Sequence, residues 1–60
     1  MQILIKRVNI EELTILNGVA VITDDQQVKC YYFHGVNEEK GHFSFAYPYK
    51  DIEYFRKVGN

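Results

Sequence analysis

Sixty residues, 47% of them hydrophobic, 15% aromatic and 25% charged, describe one small folded domain over residues 1–60 and exclude a disordered or fibrous chain. Seven basic against eight acidic residues leave a formal net charge of -1, which lacks the basic excess of a dedicated duplex-DNA binder. Cys30 is the only cysteine, so no internal disulfide forms, and a reducing, cytoplasmic setting is expected.

Ile3-Leu4-Ile5 is followed at once by Lys6-Arg7, and the aliphatic run Val19-Ala20-Val21-Ile22 is short. Neither a secretory signal nor a membrane span, which needs roughly 20 apolar residues, is expected. A chain of this length buries only about 60% of its unfolded surface. A partner subunit is therefore a natural source of added stability.

In chain order, residues 2–8 are β-branched and aliphatic, with Ile3 and Ile5 on one face, and read as a strand. Residues 9–12 read as a turn. Leu13 to Thr23, with Asn17-Gly18 at its middle, reads as a hairpin with a two-residue type I′ turn, because both central positions need positive φ. That turn sets Leu16 opposite Val19 and Ile15 opposite Ala20. Both faces of the hairpin are then largely apolar, which suits a barrel or a dimer. Asp24 to Gln27 reads as the next turn, Val28 to His34 as a strand, Gly35 to Gly41 as a loop and His42 to Tyr47 as the returning strand.

The segment Cys30–Tyr49 holds seven of the nine aromatic residues. Alternation puts Val28, Cys30 and Tyr32 on one side, where Phe43, Phe45 and Tyr47 are expected to pack. Tyr31 and Phe33 take the other. Pro48 cannot donate to a ladder and ends its strand. Residues 50–58 fit a short carboxy-terminal helix, with Asp51 and Glu53 early and Arg56 and Lys57 late, the order that the helix dipole favours. They also fit a closing strand preceded by a helical turn at Tyr49–Asp51.

The expected fold is mainly β: an antiparallel sheet or small barrel of four to five strands with that short helix. The alternative is a five-stranded SH3-like barrel in which 52–58 closes the sheet.

Chemistry-bearing residues are sparse. His34, His42, Glu38, Glu39 and Cys30 are zinc-ligand types, but they lack the tight paired spacings of a structural site, so no metal is expected. Cys30 sits among apolar alternation partners and is expected to pack as a small buried hydrophobe. The acidic pairs fall in turns, and there is no glycine-rich phosphate loop. No cofactor and no catalytic residue is assigned, and the chain reads as a non-enzyme.

Binding is the expected function, of a small regulatory or inhibitory module that takes a protein partner on an aromatic or apolar strand face. Candidates are Leu16, Val19, Val21, Tyr31 and Phe33, part of which self-association as a homodimer would cover. The alternative is single-stranded nucleic acid, RNA above all, on a basic and aromatic patch of Lys6, Arg7, Tyr47, Tyr49, Lys50, Tyr54, Arg56 and Lys57. Ile3-Leu4, Lys6-Arg7-Val8 and Gly35-Val36-Asn37 resemble segments of the carbon storage regulators. Those are small dimeric RNA-binding proteins with several strands followed by a helix. Their RNA-contacting stretch is not reproduced, and Tyr49-Lys50-Asp51-Ile52-Glu53-Tyr54 is its nearest analogue here.

Overall fold

Segments rich in β-branched and aromatic residues form the strands of the computed structural model, which describes residues 1–39 and 41–59. The order is β1 (Gln2–Arg7), β2 (Thr14–Leu16), β3 (Val19–Asp25), β4 (Cys30–Asn37), β5 (Gly41–Pro48) and β6 (Ile52–Val58), with a 3-10 turn at Tyr49–Asp51. The strands pair antiparallel in two three-stranded sheets, ordered β2-β1-β6 and β3-β4-β5. The mainly β expectation therefore holds, with six described strands instead of four or five.

Alternation along β1 turns Ile3 and Ile5 inward, where they meet Leu16, Val19 and Phe33. Phe33 is 0% exposed and sits at the centre of an aromatic cluster. Its ring is edge-on to Tyr47 at 5.7 Å and to Phe55 at 5.3 Å. Phe55 in turn meets Tyr31 at 5.0 Å, and Tyr31 meets Tyr49 at 4.8 Å. Each such pair adds about 0.5–1.5 kcal/mol beyond the area it buries. Val19 links the sheets. Its N–H donates to the Met1 carbonyl at 2.9 Å, and the Met1 amino group donates to its carbonyl at 2.6 Å.

Three expectations need correction. No carboxy-terminal helix forms: Tyr49–Asp51 makes one 3-10 turn and Ile52–Val58 continues as β6 along β1. As a strand, β6 turns Phe55 onto Phe33 and Tyr31, which secures more burial than helix-dipole order offers.

The Asn17-Gly18 hairpin is also absent. Gly18 has φ 77°, but Asn17 is not among the residues of positive φ, so the type I′ geometry is not met. Leu16 pairs with Ile3, and Val19 lies opposite Gly35. The dipeptide is thus a corner between sheets, and it brings Leu16 and Val19 into the core from two directions.

The third correction concerns the aromatic faces. β4 runs through Gly35 to Asn37, and Asn37 opposite Gly41 fixes Phe33 against Phe45, Tyr31 against Tyr47 and Gly35 against Phe43. Phe43, Phe45 and Tyr47 therefore share the face of Tyr31 and Phe33, not that of Cys30 and Tyr32. A register change of one residue reverses every side chain. Lys40, part of the expected loop, lies outside the described residues. Val28 falls in the turn before β4, and Cys30 is half-buried instead of buried.

Candidate functional site

Cross-strand partners share a face, so the register gives the outer surface of each sheet. On the sheet β2-β1-β6 the central row is Ile15, Leu4 and Arg56, with Lys6 beside Tyr54 in the next row and Gln2 beside Val58 in the one before. Leu4 is nearly covered by these neighbours, whereas Ile15 is 44% and Tyr54 46% exposed. Leu13, just before β2, is exposed as well. The result is an apolar strip with a tyrosine and an arginine at its margin.

Lys6 does not project its charge freely from this strip. Its ammonium donates to the carbonyls of Arg7 and Ile10, both at 2.8 Å, and pairs with Glu53 at 3.3 Å. The register shift between Lys6 and Arg7 is what brings Glu53 to it.

The other outer face is more polar. It presents Val21, Thr23, Tyr32, His34, Val36, His42, Ser44 and Ala46. Ser44 Oγ and His34 Nδ1 lie 3.1 Å apart, and the His34 ring stacks on Tyr32 at 6.2 Å. A nucleophilic serine needs a base oriented by a third group and donors for the oxyanion. The Tyr32 ring stacks on His34 without such an orienting bond, and the pair is open to water. Among the described residues no three His, Cys, Asp or Glu side chains gather as metal ligands.

The structure divides the protein-binding candidates. Leu16, Val19 and Phe33 are core residues and Tyr31 is half-buried against Phe55, so their faces point into the molecule. Val21 alone of the five is exposed, at 55%, on the polar outer face. Sequence reasoning missed Leu4 and Ile15. Their signal was present in the alternation of β1, where Leu4 must face away from Ile3 and Ile5.

The basic and aromatic candidates are spread out. Arg7 is half-buried beside Val8, Ile10, Tyr47 and Asp51. Tyr47 belongs to the core cluster, and Tyr49 stacks on Tyr31 while its hydroxyl donates to Asp24 Oδ1. That bond, with desolvation and the nearby carboxylate charge, pushes the Tyr49 phenol up to about 12. Lys50 adjoins the start of β6 and Lys57 lies near its end. At about 3.3 Å per residue, they stand roughly 20 Å apart.

Comparison with protein-family models, curated proteins and solved structures finds no match for this chain. The helix implied by the resemblance to the carbon storage regulators is replaced by β6. No helix among the described residues is long and apolar enough to cross a membrane.

Proposed function

We propose that this chain is a non-catalytic protein-binding module, regulatory or inhibitory in role, that docks its partner on the outer face of β2-β1-β6. The observation that supports this is the strip Ile15–Leu4–Arg56 with Tyr54 beside it. Two of its members are a tyrosine and an arginine, the residue types that concentrate binding energy at interfaces, and an aliphatic floor lies next to them. A monomeric sheet with one solvated face ordinarily alternates apolar-in with polar-out, and β1 breaks that alternation at Leu4. The half-buried thiol of Cys30 suits a reducing, cytoplasmic setting.

The test is site-directed photo-crosslinking in cells of the source organism, with the photoreactive residue at Tyr54 or, as control, at Val21 on the opposite face. A discrete adduct at Tyr54 that Ile15→Ser removes is the expected result. Adducts only at Val21, or none at either position, would exclude this face as the docking surface.

A further inference from the structure

Each sheet has two unpaired edges among the described residues: β2 and β6 in the first, β3 and β5 in the second. Open edges invite pairing with another chain, and proteins blunt them with shortness, bulges and charge. β2 has three residues. β6 carries Glu53, Arg56 and Lys57 and a register shift opposite Lys6/Arg7. β3 carries Asp24 and Asp25 and a shift between Val19 and Val21. β5 has none of these devices. It runs eight residues without Asp, Glu, Lys or Arg, pairs with β4 without a shift, and meets a proline only at its last position.

We infer that the β5 edge pairs with β5 of a second copy of this chain, joining two three-stranded sheets into one of six. The backbone fixes which groups are available. The Val36 N–H donates to the Gly18 carbonyl at 3.2 Å, on the β3 side of β4. Alternation then turns Tyr31, Phe33 and Gly35 toward β5, so their partners Tyr47, Phe45 and Phe43 are the residues bonded to β4. His42, Ser44 and Ala46 consequently aim N–H and C=O at the open edge. A two-fold pairing centred on Ser44 sets Ser44 against its own copy and His42 against Ala46 of the copy. Every one of these groups is then bonded.

The same register lays Phe43 across from Phe45 of the copy, twice. Phe45 faces the same side as Phe33 yet is 45% exposed, and among the described residues no strand pairs with β5 on its far side. Next to it, Ile15, Leu16, Asn17, Asn37, Phe43 and Phe45 line a groove of about 260 Å3 able to receive a ring. Ser44 and Ala46, both small, share the outer row with His42, and a strand without Asp, Glu, Lys or Arg meets its copy with His42 set against Ala46 and not against itself. The chain also exposes 4571 Å2, where about 4,100 Å2 is usual for a 7.1 kDa monomer.

Sedimentation equilibrium of the full chain, with amide exchange read at each residue, tests the pairing. A dimer is expected, with exchange at His42, Ser44 and Ala46 slowing as protein concentration rises. Ser44→Pro removes an outward N–H and no bond to β4, so it is expected to raise the dimer dissociation constant at least about tenfold with an unchanged far-ultraviolet spectrum. A strict monomer up to millimolar concentration would overturn the inference. So would a dimer in which those three amides exchange at the same rate at every concentration, a readout on the unaltered chain that does not depend on the variant's folding.

Discussion

Gly35 shows how a single residue can seat the Asn17-Gly18 corner against β4. A Cβ on it would stand 2.1 Å from the Gly18 carbonyl oxygen and 2.6 Å from the Phe43 ring. Both neighbours are fixed, one by backbone and one by the core. Gly35→Ala is therefore expected to cost about 3 kcal/mol in denaturant unfolding, at the upper end for one extra methyl in a packed site. Tyr49 marks the pH-sensitive contact between the 3-10 turn and β3. Its folded value of about 12 lies above the ordinary 10, so folding favours the protonated phenol. Its contribution is complete below pH 10 and is lost as pH rises from 10 toward 12. Tyr49→Phe should remove that alkaline loss, as unfolding free energies measured on either side of pH 10 would show; an identical alkaline decline in the variant would refute it. Neither residue was legible as such. Gly35 read as the start of a loop, because a mid-strand glycine is dictated by a neighbour distant in sequence.

Among the elements, β1 could be read directly, since Ile3 and Ile5 alternate with polar and outward residues over its whole length. β6 could not. Asp51, Glu53, Arg56 and Lys57 satisfy a helix dipole and a solvated edge strand equally, and only the docking of Phe55 on Phe33 decides between them. Phe55→Ala is expected to cost about 2–3 kcal/mol, somewhat below a fully buried phenylalanine because its ring is half-buried. The Asn17-Gly18 corner shows the limit of local turn chemistry. A strong hairpin signal is overridden when the flanking residues, Leu16 and Val19, gain more by entering the core from separate sheets. In β4 and β5 the aromatic pattern was visible, but which face it served depended on a register that the loop length left open.

At the scale of the molecule, five buried side chains among the described residues, Ile3, Ile5, Leu16, Val19 and Phe33, form the core cluster, and a domain of this size carries on the order of 3–9 kcal/mol of stability. So small a core leaves little surplus, and Phe33→Ala, at about 3–5 kcal/mol, is expected to remove half or more of that stability, visible by circular dichroism as a lower denaturation midpoint. If the β5 edge closes on a second copy, the melting temperature should also rise with protein concentration. Two sets of apolar side chains have distinct roles. One, centred on Phe33, holds the sheets together, and the other, Leu4 with Ile15 and Tyr54, faces outward. The most direct test of that division is the unfolding free energy of two aspartate variants measured side by side. Ile15→Asp should lie within about 1 kcal/mol of the parent chain, as substitutions at exposed sites do, while Phe33→Asp should not fold. Loss of folding in Ile15→Asp, or a stable Phe33→Asp, would contradict the assignment of these two faces.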